Sequence, residues 1–171
     1  MKRVLFVCLG NICRSPAAEG VFLHLLAQAG AADQFVVDSA GTGSWHVGKA
    51  ADRRMREAAN RRGITLTSRA RQLEPDDLVR FDHILTMDAS NLARVESLAR
   101  ESGLAQANRA RIEPLVRYCR QLEALEVPDP YYGGEAGFEQ VLDLLEDACA
   151  GLLAALESDP TGRPPTPREP E

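Results

Sequence analysis

Long apolar runs are missing from this sequence. Although 44% of its 171 residues are hydrophobic, no segment approaches the roughly 20 consecutive apolar residues that a membrane-spanning helix needs. The amino terminus leads directly into the strand-like segment VLFVC, without the apolar region and cleavage site of a signal peptide. We therefore expect a cytoplasmic protein with no membrane insertion.

Cysteine and histidine are scarce as well. The chain has 4 cysteines, at positions 8, 13, 119 and 149, and 3 histidines. This is too few cysteines for a disulfide framework in a chain of this length, and a cytoplasmic setting keeps thiols reduced. A metal site built on Cys8 and Cys13 lacks a second cysteine pair, and the histidines show no ligand spacing. We expect no metal and no other cofactor.

Positive charge is absent from one long stretch of the chain. Residues 121–162 hold ten acidic residues and no lysine or arginine, whereas residues 53–71 hold seven arginines against Glu57. The net charge of -5 argues against a nucleic-acid partner and, taken as an average, against any anionic substrate. The two blocks have two interpretations: they are solvated helix faces, or the arginines form a basic rim that attracts an anionic partner.

The sequence also lacks internal repeats and interior linkers. Short apolar segments alternate with longer stretches of 3.6-residue period, which is typical of a doubly wound α/β fold. We predict one domain over residues 1–157, with a mainly four-stranded parallel sheet, helices on both faces, and ligands beyond the carboxyl ends of the strands. Residues 158–171 contain five of the ten prolines and are predicted to form a disordered tail.

The predicted elements are bounded by capping residues and glycines. In the first helix we expect Ser15 to be the capping residue and Pro16 to occupy the first helical position. Helix ends are expected at Gly30, Gly63 and Gly103. Strands are predicted at residues 3–8, 34–39, 83–87 and 111–115, and helices after Ser15, Asp52, Pro75, Asp88 and Gly134.

The segment CLGNICRS, residues 8–15, lies between the first predicted strand and the first predicted helix. Its amide groups and the helix amino terminus can converge into an anion site, and Gly10 allows backbone torsions that other residues resist. Arg14 can donate two parallel hydrogen bonds to phosphate oxygens. Cys8 would be held there as a thiolate, the nucleophile of a phosphoryl transfer. The alternative is a buried structural cysteine near a surface arginine.

A phosphate ester also needs a proton donor for its leaving group, because an expelled phenoxide is a poor leaving group at neutral pH. Asp129, in the segment VPDPYYGG, is the best candidate. Pro128 and Pro130 stiffen its backbone, and Tyr131 and Tyr132 place two aromatic side chains beside it. The alternative is a plain turn with stacked tyrosines.

These two segments resemble the low molecular weight protein tyrosine phosphatases, and the likeness extends from about Lys2 to Leu156. The resemblance implies that Cys8 is the nucleophile, that Arg14 binds the phosphate and the transition state, and that Asp129 acts first as general acid and then as the base that activates water. It also implies a phosphocysteine intermediate. Further matching stretches are DSAGTGSWHVG at 38–48, RARQL at 69–73, FDHILTMDASNL at 81–92 and GFE at 137–139.

The same resemblance assigns the residues around these three. Asn11 and Ser39 match positions that hold the loop in shape by hydrogen bonds, and Ser15 matches a position that also eases the departure of the thiolate. Many family members have a histidine before the RQL segment that braces the loop; Ser68 stands there in this sequence and can donate one hydrogen bond. The predicted substrate- and phosphate-binding set is Leu9, Gly10, Asn11, Ile12, Cys13, Ser15 and Ser39, with Trp45, Tyr131 and Tyr132 at the mouth.

Substrate choice is expected to depend on that mouth. Ile12 and Trp45 stand at the positions that shape it in the family, and with Tyr131 and Tyr132 opposite they would stack against a flat phenyl ring. We therefore expect a monomeric enzyme acting on phosphotyrosine proteins or peptides, and on small aryl phosphates in vitro. A small polar residue at position 12 would instead have indicated phosphoarginine. Trp45 has a core position as its alternative, and His46 is left outside the predicted site.

Cys13 has two interpretations. It could form a disulfide with Cys8, if their α-carbons lie roughly 4.4–6.8 Å apart, and so protect the nucleophile from irreversible oxidation. Alternatively, Cys13 packs beneath the loop. The resemblance to the family favours the redox role. Cys119 and Cys149 are expected to be buried or incidental.

Two other functions fit the sequence less well than the phosphatase. Arsenate reduction on a related fold needs a relay of further thiols, typically near residues 80–90, and the sequence has none between Cys13 and Cys119. A phosphotyrosine-binding module without activity would be expected to lack the nucleophile or the acid, whereas both are present here.

Overall fold

The computed structural model describes residues 1–103 and 110–158 of the chain. In this part of the chain, four parallel strands form one sheet in the order β2-β1-β3-β4. The order reverses between β1 and β3, so the carboxyl end of β1 lies at the switch point where doubly wound folds bind ligands. The strands are β1 (Lys2–Cys8), β2 (Phe35–Gly41), β3 (His83–Thr86) and β4 (Arg111–Pro114).

Helices cover both faces of the sheet, which confirms the predicted fold class; the predicted strand ends differ from the observed ones by at most two residues. Short 3₁₀ helices at Ala32–Gln34 and Leu115–Tyr118 flank two of the strands. The α-helices of the described residues are α1 (Arg14–Gln28), α2 (Arg53–Arg61), α3 (Asp77–Arg80), α4 (Ala89–Glu101) and α5 (Glu135–Glu157).

The side chains of β1 divide the core in two. Val4, Phe6 and Cys8 lie in a cluster with residues of α1, α2 and α5, whereas Leu5 and Val7 lie in a cluster with residues of α3 and α4. Successive side chains of a strand point to opposite faces, so a central strand covered on both sides is apolar throughout. The uninterrupted apolar run VLFVC is the sequence pattern of such a central strand.

Helix starts were predicted correctly where an aspartate caps the helix. The Asp52 side chain accepts a hydrogen bond from Arg54 N at 2.8 Å, and Asp88 forms a capping box with Asn91 at the start of α4. The prediction for α1 was wrong: this helix begins at Arg14, and its capping position, Cys13, makes no side-chain hydrogen bond. The hydroxyl of Ser15 is not free to cap, because it lies 3.0 Å from Cys8 Sγ.

Three glycines follow helix ends, as predicted. Gly30, Gly63 and Gly103 have φ values of 67°, 77° and 71°, the left-handed conformation expected just beyond helix ends. Ser158 follows the last residue of α5, and the rest of the predicted tail lies outside the described residues. None of the helices in the described residues is long and apolar enough to cross a membrane.

Candidate active site

The loop at residues 8–15, hereafter the cysteine loop, turns its carbonyl groups outward. The carbonyl oxygens of Cys8 and Leu9 accept hydrogen bonds from the two residues after β2, and that of Ile12 accepts one from Asp52 N at 2.7 Å. With the carbonyls engaged on the outside, amides of the same segment can face inward. The inward amide of Asn11 lies 3.3 Å from Cys8 Sγ, the orientation that an anion-binding loop requires.

Cys8 lies at the floor of this loop and is almost fully buried. Its Sγ accepts a hydrogen bond from the backbone N–H of Asn11 and lies 3.0 Å from Ser15 Oγ. Both groups can donate hydrogen bonds to a negatively charged sulfur. Two protein groups therefore lie within hydrogen-bond distance of this sulfur.

Asn11 braces the loop from behind. Its Nδ2 donates to Ser15 Oγ at 2.7 Å and to Ser39 Oγ at 3.0 Å, and its Oδ1 accepts from Arg71 N at 3.0 Å. Its φ of 55° is the left-handed torsion of the loop, which corrects the expectation that Gly10 has the unusual torsion. Asn11 tolerates this region better than most residues because its short polar side chain can hydrogen-bond locally.

Two glycines lie at close approaches, which a side chain at either position would disturb, and the approach is tighter at Gly41. A Cβ on Gly10 would lie 3.0 Å from His46 Cδ2, and a Cβ on Gly41 would lie 2.7 Å from Leu9 O. Gly41 is the last residue of β2 and lets the cysteine loop rest directly against the strand backbone.

Ser68 does not contact Asn11 in the described hydrogen bonds. Its hydrogen-bond partner is Glu19 of α1, a buried carboxyl whose pKa is raised to about 7, mainly by burial, with Asp38 also raising it. The backbone N–H of Arg71 takes the bracing place beside Asn11. The bracing role considered for Ser68 therefore belongs to a main-chain group three residues later.

Arg14 is held by two elements beyond its own helix. Its side chain is 3% exposed, and its Nη1 lies 2.6 Å from Asp88 Oδ2 and donates to Val127 O at 3.1 Å. Asp88 follows β3, whose carboxyl end lies beside that of β1. The sequence predicts Asp88 only as a helix start, although its place after a neighbouring parallel strand is a signal that it lies near the site.

Asp129 lies in an irregular segment, residues 127–134, hereafter the Asp129 loop. Its Oδ1 accepts a hydrogen bond from Tyr131 N at 3.0 Å, and its Oδ2 lies 3.6 Å from Arg14 Nη2. The side chain is 41% exposed, whereas the Asp88 carboxylate on the same guanidinium is 21% exposed. Asp129 is thus the carboxyl group that solvent and a ligand reach.

A pocket of about 440 Å³ opens above Cys8. Its aromatic wall includes Tyr131 and Tyr132, whose ring centroids are 4.9 Å apart in an edge-to-face arrangement. Predicted members Asn11, Ser15 and Ser39 lie behind the wall, where they brace the loop. The lining residues are Cys8, Leu9, Gly10, Ile12, Cys13, Arg14, Trp45, His46, Asp129, Tyr131 and Tyr132.

At the mouth, Trp45 lies where the sequence predicts it, whereas the position of His46 differs from expectation. Trp45 is 69% exposed and lines the pocket, so its alternative core position is wrong. His46, which was left outside the site, also lines the pocket, with its ring centroid 6.2 Å from that of Tyr131. No spacing rule links residue 46 to residue 131, so only the fold could reveal this pair.

The four cysteines are all free thiols. Cys13 lines the pocket wall but is buried, and burial, with Asp52 and Cys8 nearby, raises the pKa of its thiol far above the usual range. Cys119 and Cys149 contact the carbonyls of Leu144 and Ala18 and do not line the pocket. Among the described residues, no group of three histidine, cysteine or acidic side chains could hold a metal ion.

The arginine block at 53–71 is largely paired. Arg62 contacts Glu139, Asp143 and Glu146 of α5, and Arg71 pairs with Asp38 and Asp77. The basic and acidic blocks of the sequence therefore neutralise one another in part. Arg54 is the member of the block that contacts a pocket residue, Tyr131.

The chain is similar in sequence and fold to a set of known proteins. The family model described as low molecular weight phosphotyrosine protein phosphatase matches residues 3–161. A putative low molecular weight protein-tyrosine-phosphatase of Synechocystis is 49% identical over 154 residues, which cover 90% of this chain and 96% of the relative. The crystal structure of a protein tyrosine phosphatase from Entamoeba histolytica matches with a TM-score of 0.86 and 43% identity, over 92% of this chain and 97% of that one. A Drosophila arginine phosphatase matches with a TM-score of 0.85 and 34% identity, over 93% and 99% of the two chains.

Proposed function

The chain belongs to the low molecular weight phosphotyrosine protein phosphatase family, and from this membership and the site geometry we propose that it hydrolyses phosphotyrosine through a phosphocysteine intermediate. The observation that carries this proposal is the placement of Cys8, Arg14 and Asp129 around one pocket. A sulfur nucleophile, a guanidinium for the phosphoryl oxygens and a carboxyl group for proton transfer are what such a reaction needs.

In the first step, Cys8 Sγ attacks phosphorus while the bond between phosphorus and the phenolic oxygen breaks. Asp129 gives its proton to the departing oxygen. Arg14 donates two hydrogen bonds from its guanidinium to oxygens of the transferring phosphoryl group. The inward-facing loop amides stabilise the remaining charge, and the bond formed is the S–P bond of phosphocysteine.

In the second step, water attacks phosphorus, and the carboxylate of Asp129 accepts a proton from it. The S–P bond breaks, and its electron pair returns to Cys8 Sγ. Ser15 Oγ, 3.0 Å from that sulfur, donates a hydrogen bond to the departing thiolate. Inorganic phosphate leaves, and Asp129 is protonated for the next cycle.

The mouth of the pocket favours an aromatic leaving group. Ile12 and Trp45 line the wall together with the two adjacent tyrosines, and such side chains pack against a phenyl ring. An aliphatic residue at position 12 offers no polar partner to a phosphorylated guanidino group. We therefore propose phosphotyrosine proteins and peptides, rather than phosphoarginine proteins, as substrates.

The pocket is lined by residues of a single chain, which supports the proposal of a monomer; we propose the cytoplasm as its location. Static light scattering should give the mass of a single chain at assay concentration. Arsenate reduction finds less support, because Cys119 and Cys149 lie away from the pocket lining and no thiol relay can be built from them.

Hydrolysis of para-nitrophenyl phosphate tests the mechanism. Cys8→Ser should abolish turnover, whereas Cys119→Ser, a half-buried thiol outside the pocket, is the matched control and should keep it. Asp129→Ala should lose about 10²- to 10⁴-fold on phenyl phosphate and much less on the nitrophenyl ester, whose leaving group needs less protonation. Full activity of Cys8→Ser, or complete inhibition by EDTA, would refute the mechanism. A phosphoarginine peptide that outcompetes the matching phosphotyrosine peptide would refute the substrate assignment.

A further inference from the structure

Arg54 lies in the first turn of α2, behind the pocket wall, and reaches the Asp129 loop. Its Nη2 donates to Tyr131 O at 2.8 Å, and its Nη1 donates to Gly133 O at 3.5 Å. Its Cζ lies 5.6 Å from the ring centroid of Tyr131 and 4.8 Å from that of Phe138. The guanidinium therefore contacts this loop through both its backbone and an aromatic ring.

Tyr131 connects Arg54 to Asp129. The N–H of Tyr131 donates to Asp129 Oδ1 at 3.0 Å, while its carbonyl accepts from Arg54. Residues 130–134 belong to no helix or strand. Among the hydrogen bonds of the described residues, those from Arg54 join the carbonyls of Tyr131 and Gly133 to α2. Gly134 O accepts from Gly137 N, but this bond only ties the end of the loop to the first turn of α5, the helix that follows it in the chain.

The other end of this connection is the cysteine loop. Asp52 accepts from Arg54 Nε and Nη2, both at 3.2 Å, so its carboxylate fixes the guanidinium in the two-point geometry that arginine favours. The backbone N–H of Asp52 donates to Ile12 O at 2.7 Å. One continuous set of contacts thus runs from Ile12 through Asp52, Arg54 and Tyr131 to Asp129.

We propose that Arg54 is a positioning residue that fixes the general acid relative to the nucleophile by joining the Asp129 loop to the cysteine loop. The inference rests on the proposed function, in which Asp129 protonates the leaving group. Arg54 itself touches no reacting atom and acts through the backbone of Tyr131. Because a displacement of about 1 Å can cost about 100-fold in rate, its loss affects the proton transfer and leaves phosphate binding in place.

Arg54→Met tests this inference because it keeps an unbranched stem against the rings of Tyr131 and Phe138 but removes every donor. The ratio kcat/KM is measured for phenyl phosphate, whose leaving group has a pKa of about 10, and for para-nitrophenyl phosphate. We expect a loss of about 10- to 100-fold on the first ester and less than about 3-fold on the second. Arg54→Lys should recover part of the loss, since an ammonium can reach one carbonyl but cannot reproduce the fork.

Two controls separate positioning from a general loss of structure. Arg53→Met removes the neighbouring arginine, which is 80% exposed and paired with Glu57, and should leave both ratios unchanged. The inhibition constant of inorganic phosphate should stay within about 2-fold in Arg54→Met, because the groups of the cysteine loop that bind an anion are untouched. Circular dichroism and thermal unfolding confirm that each variant is folded.

A double-mutant cycle with Asp129→Ala separates this inference from the proposed function. If Arg54 acts through Asp129, then Arg54→Met costs nothing further on phenyl phosphate in the Asp129→Ala background. An equal loss on both esters, a similar further loss without Asp129, or a tenfold weaker phosphate inhibition would overturn the inference while leaving the role of Asp129 intact. If Asp129→Ala shows no dependence on the leaving group, the proposed function fails, and the inference fails with it.

Discussion

Replacing Glu19 with glutamine should flatten the pH dependence of the free energy of unfolding between about pH 5 and pH 8. Glu19 is 8% exposed, and its pKa in the folded protein is raised to about 7, first by burial and then by Asp38. Hydrogen bonding to Ser68 and the charge of Arg71 act in the opposite direction but are outweighed. In the unfolded chain the same carboxyl has its ordinary pKa of 4.5.

The sign and size of the effect follow from these two values. The folded state binds more protons than the unfolded state between pH 4.5 and about 7, so the free energy of unfolding falls as pH rises through this window. At about 1.4 kcal/mol per pH unit, the interval corresponds to about 3 kcal/mol as an upper limit. The contribution of Glu19 to the free energy of unfolding is complete below the pKa of the unfolded chain and is lost above the pKa of the folded protein.

Urea unfolding at several pH values measures this contribution. Wild type should lose stability relative to Glu19→Gln as pH rises, because a neutral amide keeps its hydrogen bonds at every pH. Glu96→Gln, which removes an exposed glutamate of α4, is the matched control and should follow wild type. If Glu19→Gln loses as much stability as wild type between pH 5 and pH 8, the buried carboxyl is not the group that titrates.

Four further predictions concern other parts of the molecule. Asp88→Asn keeps the cap of α4 but removes the charge paired with Arg14, so kcat/KM should fall about 10-fold for good and poor leaving groups alike; a loss confined to poor leaving groups would contradict this role. Burial lowers the pKa of His83 from 6.5, so the folded state binds fewer protons and stability is lost as pH falls below that value; urea unfolding of His83→Gln should show a smaller loss. After peroxide treatment, dithiothreitol should restore wild type but not Cys13→Ser, because an unprotected Cys8 proceeds to irreversible oxidation; equal recovery would argue against a protective disulfide. Raising salt from about 50 to 200 mM should change kcat/KM on a phosphopeptide less than about 3-fold, since the arginine block is paired. A steep fall would instead indicate that these arginines form a basic rim that attracts the substrate.

The cysteine loop could be predicted from the sequence because its determinants are contiguous. A buried strand, a turn and a helix amino terminus follow one another within residues 4–16, and each has a local signal. The fold class was equally accessible, since the alternation of apolar patterns specifies parallel strands with crossover helices. The error at the start of α1 also has a local cause: Ser15 and Pro16 form a good capping sequence, but the sulfur of Cys8 competes for the serine hydroxyl.

The supports of the loop could not be predicted in the same way, because they come from distant segments. Asp88 is 74 residues from Arg14, and its approach depends on β3 pairing directly with β1. The group that braces Asn11 from residue 71 is a backbone N–H, which no residue type reveals. His46 reaches the pocket because Gly10 leaves room for its ring, a packing relation that is visible only in three dimensions.

The net charge of -5 does not oppose an anionic substrate, because charges act locally. Arg61 and Arg62 pair with carboxylates of α5, so much of the opposite charge in the two blocks cancels within the molecule. Exposed charges farther from the pocket than about 8–10 Å are screened at physiological salt. A phosphate bound at the proposed site would meet the loop amides, the amino terminus of α1 and the buried Arg14, whose charge Asp88 and Asp129 balance in part. These groups act at close range, where the dielectric constant is lower than in bulk water. The field that decides binding is therefore set by the few groups that line the pocket, whatever the sign of the rest of the surface.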